Sequence, residues 1–269
     1  MHNAWLLNFN LFLPSFEPHV AGVRAILDLA LSSPLACPPH VAFVSSIGAV
    51  ARWPFTSPVP EAALNSPEFA IPQGYSYSKY VSEQILQSAV AQRPELRATV
   101  IRCGQLSGAL KTGAWAKSEY IPRLLRSADA LGIVPTGLAP VRWLPVDVAA
   151  DILFREVEHA AAHPAPGPVR YYTLDNVLST PWAYVVRALA TFRGQDRPLK
   201  EVPMSVFLDA VRRDPASPAF EVVEYLEDLL VTSPVPPLDA RQARRASGNL
   251  VDCELGEELV CTYVRYACA

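Results

Sequence analysis

Residues 41–46 read VAFVSS and residues 75–79 read YSYSK, and these two stretches decide the fold. The first is an apolar run between a proline pair and two serines, a pattern typical of a strand buried on both faces of a sheet. The second opens a stretch of helical periodicity that ends at Pro94, and residues 98–101 (ATVI) form another apolar run. This order of strand, loop, helix and strand predicts a parallel sheet with crossover helices.

The composition is typical of a globular chain and shows no basic segment that would bind nucleic acid or an anionic membrane. Of its 269 residues, 51% are hydrophobic and 18% are charged, which is enough for a substantial core. The formal net charge is -3 and no run of Lys or Arg stands apart from acidic neighbours, so neither nucleic acid nor an anionic membrane is an expected partner. The apolar residues 4–13 lack a basic leader and are too short for a membrane span. We therefore expect a cytoplasmic location.

The cysteines and histidines do not follow a metal-binding pattern. The five cysteines are scattered without a Cys-x-x-Cys pair, which argues against a disulfide framework and against zinc. His159 and His163 lie four residues apart, but the sequence contains no His-Glu-x-x-His. No metal site is predicted.

The remaining periodic segments divide the chain into a core and a cap. Further helices are predicted at residues 16–31, 121–131 and 146–159, and a third strand at 171–174. Beyond Pro181, helical patterns recur between proline-containing loops at residues 182–193, 203–213, 220–230 and 239–246. We expect a catalytic core over residues 1–180, with a substrate-side loop at 107–140, and a small, mostly helical substrate-binding cap over residues 181–269.

Tyr75 and Lys79 are the residues best placed for chemistry. They lie four apart at the start of a helix, so their side chains face the same way. A lysine ammonium beside a phenol favours the phenolate, which lowers the pKa of a tyrosine from about 10 toward the range of a general acid/base. Ser46 ends the preceding strand, at the sheet edge where ligands bind. Its hydroxyl could hydrogen-bond the carbonyl oxygen that Tyr75 protonates.

The set Ser46, Tyr75 and Lys79 resembles the Ser/Thr, Tyr and Lys triad of extended short-chain dehydrogenases/reductases. The resemblance narrows to the terminal thioester reductase domains of fungal nonribosomal peptide synthetases and adenylate-forming carboxylic acid reductases. It rests on stretches spread along the chain: HNAW at 2–5, FEPHV at 16–20, RCGQLSG at 102–108 and WLPVDVA at 143–149. It implies an α/β fold with an incomplete Rossmann-like, doubly wound parallel sheet that lacks its first strands.

The resemblance also implies a reaction in secondary metabolism. In that family, NADPH reduces a carrier-bound acyl thioester to an aldehyde, which is sometimes reduced again to an alcohol. Ser46 would polarise the carbonyl, Tyr75 would donate the proton, and Lys79 would lower the tyrosine pKa and hold the nicotinamide ribose. The implied partner is an acyl-phosphopantetheine carrier domain or a small-molecule substrate.

Matches to the family motifs also imply a set of cofactor residues. Asn3 and Ala4 match the adenine side, and Gly104, Gln105 and Leu106 match the loop against the nicotinamide. The family's Gly-rich pyrophosphate turn has no counterpart, because none of the twelve glycines forms G-x-G-x-x-G. Without that turn, unaided NADPH binding is expected to be weak, or no cofactor binds at all.

Three residues fall in the loop that shapes the substrate entrance in such reductases: Trp115, Lys117 and Tyr120. We assign them to the substrate side on this match. For Trp115, simple packing against the cap is an equally strong interpretation.

The lack of a Gly-rich turn leaves three interpretations open. In the first, the chain is part of a longer reductase, and the chemistry belongs to the whole. In the second, a shortened protein keeps the Tyr75 and Lys79 pair for a redox-neutral, cofactor-independent cyclisation, dehydration or isomerisation. In the third, the chain is a non-catalytic remnant that binds a partner. In all three, the edge of the strand at Val41–Val44 is expected to be unpaired and to need a covering partner.

Overall fold

The computed structural model describes residues 1–54, 56–163, 169–232 and 236–269. Its strands are β1 Val41–Ser46, β2 Ala98–Cys103, β3 Gln105–Ser107, β4 Ile133–Thr136, β5 Trp143–Pro145, β6 Arg170–Leu174 and β7 Lys200–Pro203. Its α-helices are α1 Glu17–Leu31, α2 Gly74–Gln92, α3 Tyr120–Leu131, α4 Val146–Ala162, α5 Trp182–Arg193, α6 Met204–Arg213, α7 Val223–Thr232, α8 Arg241–Ser247 and α9 Glu257–Cys268. Within these described residues, no helix has the length and apolar character needed to cross a membrane.

The chain forms two compact units, and each gathers three separate stretches of sequence. The described residues of Met1–Gly104, Ala149–Val177 and Val235–Val251 make the first unit, and those of Gln105–Val148, Leu178–Pro234 and Asp252–Ala269 make the second. The predicted α/β class is confirmed, because parallel strands and helices occur together in both units. The functional division near residue 180 stays a prediction. Residues 55 and 164–168 of that core and 233–235 of that cap lie outside the described residues.

A three-stranded parallel sheet in the order β1-β2-β6 supports the first unit. Val41 to Ser46 run opposite Ala98 to Cys103, and β2 pairs in turn with β6. The side chains of Val41 and Phe43 pack in one cluster with Leu27 of α1 and Leu86 of α2. The apolar run of β1 is therefore covered by the two helices that flank it in sequence.

His2 pairs with the outer edge of β1. Its backbone N–H donates to Ala42 O at 2.7 Å, and its carbonyl accepts from Val44 N at 3.0 Å. These two bonds form an isolated parallel bridge opposite Phe43. The sequence predicted that the Val41–Val44 edge is unpaired. This prediction is wrong at the centre of the edge, where His2 forms two backbone hydrogen bonds with β1.

A buried ion pair joins the sheet to α2. The Arg102 guanidinium donates to both carboxylate oxygens of Glu83, at 2.8 and 3.2 Å, and the two side chains are 2% and 1% exposed. Ser45 Oγ donates to the same carboxylate at 2.6 Å. Because an unpaired charge is very costly in a dry interior, this network fixes β1 and β2 relative to α2.

A second buried carboxylate holds α8 against the sheet. Glu61 accepts hydrogen bonds from the backbone N–H groups of Thr173 in β6, at 3.2 Å, and of Ala243 in α8, at 3.0 Å. Gln242 Nε2 donates to the Glu61 carbonyl at 2.9 Å. Burial raises the pKa of Glu61, while the backbone donors oppose that shift.

Glu156 in α4 is a buried acid of a different kind. Its side chain is 0% exposed, and neither carboxyl oxygen has a hydrogen-bond partner among the described residues. Burial, and then the charge of Glu61, raise the pKa of Glu156 well above its ordinary value of 4.5. The folded state therefore keeps a proton that the unfolded state releases, so this group lowers stability as pH rises above 4.5.

The variant Glu156→Gln is expected to be more stable than the wild type, and the difference should grow as pH rises. Near pH 8 the free energy of unfolding should rise by about 1–3 kcal/mol, and near pH 4 the gain should be close to zero, because there the acid is mostly protonated in both the folded and the unfolded state. Urea denaturation at both pH values measures the difference. Glu158→Gln, on the exposed side of the same helix, is the control. An equal effect of Glu156→Gln at both pH values would contradict the assignment.

The second unit has an aromatic core between short strands and helices. β3 pairs with β5, and β4 pairs with β7, both in parallel. Helices α3, α5 and α9 pack against one another, and the core contains Trp143, 2% exposed, and Tyr263, 0% exposed. The four strands and α9 were not predicted from the sequence. The mostly helical cap expected over residues 181–269 does not coincide with this unit and stays a prediction.

Candidate active site

Ser46 ends β1 and begins a tight turn beside α2. Its Oγ accepts a hydrogen bond from the Gly48 backbone N–H at 3.1 Å, which caps the 3-10 turn Ile47–Ala49. A Cβ at Gly48 would lie 2.6 Å from Ser76 Oγ, so glycine allows the turn to approach α2 closely. The half-buried Ser46 hydroxyl therefore lies beside the first turn of α2.

Tyr75 lies in the first turn of α2, where aromatic rings from the N-terminal residues hold it. Its half-buried ring makes edge contacts with Phe9, at 5.5 Å between centroids, and with Phe16, at 6.3 Å. A Cβ at Gly74 would lie 2.3 Å from Leu11 O, so the chain packs directly on the helix start. The phenol is thus positioned by residues that lie far from it in sequence.

Lys79 lies one helical turn after Tyr75 and is 3% exposed. Its Nζ donates to Val44 O at 2.8 Å and lies 5.7 Å from the centroid of the Tyr75 ring. The ammonium also lies over the rings of Trp5, at 4.1 Å, and Phe43, at 4.9 Å. Both rings stabilise a cation that has lost most of its water. The predicted proximity of Tyr75 and Lys79 is therefore present, while their catalytic roles stay predictions.

Burial lowers the pKa of Lys79 from 10.5 to about 7, and the charges of Cys103 and Glu83 oppose the shift. Between these two values the unfolded state binds more protons than the folded state, so stability rises with pH. Below about pH 7, the folded state bears the full cost of the buried charge.

We expect Lys79→Met to be more stable than the wild type at neutral pH. This gap in the free energy of unfolding should narrow as pH rises. Between about pH 7 and pH 10, the free energy of unfolding of the wild type should rise by roughly 3–5 kcal/mol relative to that of Lys79→Met. Guanidinium denaturation across this range measures the gap. Lys111→Met, at an exposed position, is the matched control. A gap independent of pH would mean that Lys79 is not buried as a cation.

The predicted cofactor residues are divided between the two units. Asn3 and Ala4 are exposed and follow the bridge residue His2 in the first unit. Gly104 also belongs there: its N–H donates to Leu174 O at 2.8 Å, and a Cβ on it would lie 2.0 Å from Asp175 Oδ1. Gln105 and Leu106 are in β3 of the second unit, where Gln105 Nε2 donates to Leu106 O at 2.7 Å. Their assignment to a cofactor stays a prediction.

The predicted substrate residues all lie in the second unit. Trp115 is 6% exposed and packs edge-on against Trp143, at 5.1 Å, and Tyr263, at 5.5 Å. Tyr120 is also buried, and burial raises its pKa well above 10.0. Lys117 is exposed. Of the three, the structure leaves Lys117 the most accessible to a ligand.

Sequence reasoning missed Trp5, Glu83 and Arg102. The signal for the last two was present, because Arg102 interrupts an apolar strand and Glu83 lies one turn after Lys79 on the same helix. Nothing in the sequence indicated that Trp5 covers the Lys79 ammonium. Its indole Nε1 also donates to Ser78 Oγ at 3.2 Å, which fixes the ring beside α2.

Some of the predicted site residues in the first unit are accessible to a nicotinamide cofactor, and Lys79 is not. Ser46 and Tyr75 are half-buried and Asn3 is exposed, so a ligand can reach each of them. Lys79 is covered by Trp5, so a hydrogen bond to a ribose requires that the indole ring moves. Among the described residues, no cluster of three His, Cys, Asp or Glu side chains could hold a metal ion.

The parallel sheet with a serine at the end of β1, and the tyrosine and lysine on the following helix, define a class of protein. This fold, the family model and the related sequences together indicate a Rossmann-like oxidoreductase of the short-chain dehydrogenase/reductase type, and they support a nicotinamide cofactor in general. The chain belongs to the Male sterility protein family (NAD_binding_4), which matches residues 1–153.

Similar proteins carry reductase names. Adenylate-forming reductase Nps10 of Heterobasidion annosum is 35% identical to this chain over an alignment of 287 residues, gaps included. The alignment covers 99% of this chain and 26% of that protein. The terminal R domain from the myxalamid PKS-NRPS biosynthetic pathway superposes with a TM-score of 0.80 at 22% identity, over 98% of this chain and 66% of that one. A thiolation-reductase di-domain from an archaeal non-ribosomal peptide synthetase superposes with a TM-score of 0.73 at 16% identity, over 98% and 55%. The two solved structures establish the fold.

Proposed function

We propose that this chain carries the proton-transfer site of a thioester reductase in which NADPH reduces a carrier-bound acyl thioester to an aldehyde. The observation that carries the proposal is the position of Lys79 Nζ, 5.7 Å from the centroid of the Tyr75 ring, close to the carboxyl end of β1. A positive charge at this distance favours the phenolate that remains after proton transfer. The reductase names of similar proteins support the reaction type.

The proposed reaction uses Tyr75 as the acid. Tyr75 donates its phenolic proton to the thioester carbonyl oxygen while a hydride adds to the carbonyl carbon, and Ser46 Oγ holds that oxygen in place. Bound NADPH supplies the hydride. The product of this step is a hemithioacetal, whose hydroxyl proton passes to the leaving sulfur as the C–S bond breaks and the carbonyl re-forms. A proton from solvent restores the Tyr75 phenol. The final products are the aldehyde, the free phosphopantetheine thiol and the oxidised cofactor.

A phosphopantetheine carrier domain is the proposed source of the acyl group, and a free small-molecule thioester is the alternative. The similarity to a thiolation-reductase di-domain supports the first. On the chain itself, the exposed Lys117 has its ammonium 5.9 Å from the Tyr266 ring, where it could meet the phosphate of the pantetheine arm. Trp115 and Tyr120, which are buried in the same unit, are the other proposed substrate residues.

The test is a reduction assay on the purified 269-residue chain with an acyl-N-acetylcysteamine thioester. NADPH fluorescence is followed during titration, and NADPH consumption and aldehyde formation are followed after the thioester is added. We expect saturable NADPH binding, thioester-dependent consumption of NADPH and an equal amount of aldehyde.

Two results would overturn the proposal. If NADPH does not bind saturably and a Tyr75→Phe-sensitive conversion of a carbonyl substrate proceeds without it, the chain is a redox-neutral acid/base enzyme. If neither Tyr75→Phe nor Lys79→Ala changes any measured conversion or NADPH binding, the chain is a non-catalytic binding protein.

A further inference from the structure

The indole ring of Trp5 covers the Lys79 ammonium in the first unit. The centroid of this ring lies 4.1 Å from Lys79 Nζ, and the centroid of the Phe43 ring lies 4.9 Å from the same atom. Lys79 and Phe43 are 3% and 1% exposed, whereas Trp5 is half-buried. Of the two rings, Trp5 is therefore the one that meets solvent, and its removal would open a path from water to the charge.

Several contacts fix the indole ring beside α2. Its Nε1 donates to Ser78 Oγ at 3.2 Å, and Ser78 Oγ in turn donates to Tyr75 O at 2.6 Å. The ring also packs edge-on against Phe43, at 5.5 Å between centroids, and lies 5.1 Å from the His19 ring. The indole is therefore connected to the same turn of helix that carries Tyr75 and Lys79.

Lys79 Nζ is held between a backbone carbonyl and aromatic faces. It donates a hydrogen bond to Val44 O at 2.8 Å. An ammonium has three N–H donors, and the faces of Trp5 and Phe43 attract the cation where water would otherwise bind. Burial lowers the pKa of Lys79 to about 7, so the loss of water outweighs the attraction of these contacts.

The other charged groups near Lys79 come from α2, β2 and the N-terminal residues. Glu83 lies one turn further along α2, and its carboxylate is paired with Arg102. Cys103 ends β2, and its charge and that of Glu83 favour the ammonium less strongly than burial disfavours it. Burial and then Lys79 lower the pKa of His2 below 6.5, so His2 is mostly neutral at pH 7. The exclusion of water therefore has the largest effect on the charge of Lys79.

We propose that Trp5 is a positioning residue of the proton-transfer site, whose indole holds the Lys79 ammonium beside the Tyr75 ring and excludes water from it. This role rests on the proposed function, in which the charge of Lys79 favours the Tyr75 phenolate. The interaction of two charges weakens as water enters and the effective dielectric constant rises. The effect of the ammonium, 5.7 Å from the centroid of the Tyr75 ring, therefore falls when the indole is removed.

Amine labelling of the purified chain from about pH 5 to about pH 10 tests this role without the reductase reaction. The chain reacts with a trace of acetic anhydride, and mass spectrometry of its peptides gives the labelling rate of Lys79. Exposed Lys111 serves as the reference for the amount of reagent. Because only the neutral amine reacts, the midpoint of the rate profile reports the protonation of Lys79. We expect this midpoint near pH 7 in the wild type.

Trp5→Ala is expected to raise the labelling midpoint of Lys79 by at least about one pH unit, because water reaches the ammonium. Trp5→Phe keeps an aromatic face over the charge and should show less than about half of this rise. Trp53→Ala is the matched control, because Trp53 is also a half-buried tryptophan of the first unit but packs against Phe69. It should leave the midpoint unchanged.

Three labelling results would overturn the proposal. They are an unchanged Lys79 midpoint in Trp5→Ala, an equal rise in Trp53→Ala, and a rise in Trp5→Phe as large as that in Trp5→Ala. The first means that the indole does not exclude water from Lys79. The second means that any loss of packing has the same effect, and the third means that the aromatic face does not hold the ammonium.

The reduction assay gives a second readout, which depends on the proposed function. Thioester-dependent kcat should fall as Lys79 loses its proton, so the alkaline limb of the wild-type profile should lie near pH 7. In Trp5→Ala this limb should move to higher pH together with the labelling midpoint, whereas partial unfolding would lower kcat at every pH. A limb that stays in place while the midpoint rises would overturn the positioning role.

The two readouts distinguish failure of the proposed function from failure of this inference. If the wild type reduces no thioester while the Lys79 midpoint responds to Trp5→Ala as expected, the proposed function fails and the hold of Trp5 on Lys79 stands. If thioester reduction proceeds but the midpoint does not respond, the inference fails alone.

A measurement on the wild type covers the case in which Trp5→Ala does not fold. The ε-methylene protons of Lys79 lie near the face of the indole, so NMR should show nuclear Overhauser contacts between them and the Trp5 ring protons. The ring current should also shift these methylene signals upfield. A folded wild type without these contacts would overturn the proposal without any substitution.

Discussion

Replacing Glu83 with alanine is expected to lower the free energy of unfolding by about 3–5 kcal/mol. Arg102 is 2% exposed, so loss of the carboxylate leaves a guanidinium charge in the interior without a counter-ion. Ser45 Oγ loses its acceptor in the same change. The network spans β1, β2 and α2, so we expect one cooperative transition at lower denaturant rather than local fraying. Urea denaturation followed by circular dichroism measures the change.

Two further variants distinguish loss of the buried ion pair from non-specific destabilisation. Glu95→Ala removes a carboxylate from the exposed pair with Arg93, and little effect is expected because exposed pairs contribute little. The double variant Glu83→Leu with Arg102→Met removes both charges and should recover most of the lost stability. If Glu83→Ala unfolds no more readily than Glu95→Ala, the buried pair does not hold the sheet to α2.

Tyr75→Phe is expected to lower thioester-dependent NADPH oxidation by about 10²–10⁴-fold. The change removes only the phenolic oxygen, so the ring contacts with Phe9 and Phe16 remain and the fold should be preserved. The loss should appear in kcat, with KM nearly unchanged, because the proton is transferred in the transition state rather than in substrate binding. Steady-state kinetics of the assay described above measures both.

Tyr77→Phe is the matched control for this experiment. Tyr77 is half-buried on the same helix, two residues further along and therefore on another side of it. It should retain wild-type activity. Similar losses in Tyr75→Phe and Tyr77→Phe would show that the phenol of Tyr75 has no special part in proton transfer.

Long periodic segments were predictable because each carries its own signal. The helix predicted at residues 16–31 is α1, and the apolar run at residues 41–44 is the main part of β1. By contrast, β3 and β5 have three residues each, too few to show a period, and exist through their pairing with each other. Helix α9 was missed although Val260, Tyr263, Val264 and Ala267 are spaced as one buried helix face.

The candidate site divides in the same way. The spacing of Tyr75 and Lys79 indicates that both face one side of a helix, and the position of Ser46 indicates the end of a strand. The spacing does not indicate that the ammonium is buried under Trp5 and bonded to Val44 O. Nor does it indicate that burial lowers the pKa of Lys79 to about 7.

By itself, the sequence determined the α/β class, the order of the main elements and the closeness of Tyr75 and Lys79 on one helix, since periodicity and spacing are properties of neighbouring residues. Only the tertiary structure decided which distant groups meet: Glu83 against Arg102, Trp5 over Lys79, and Phe9 against Tyr75. The physical reason is that the free energy of a charge or a polar group depends on the water it loses and the partners it gains. Both are set by segments that meet only when the chain folds.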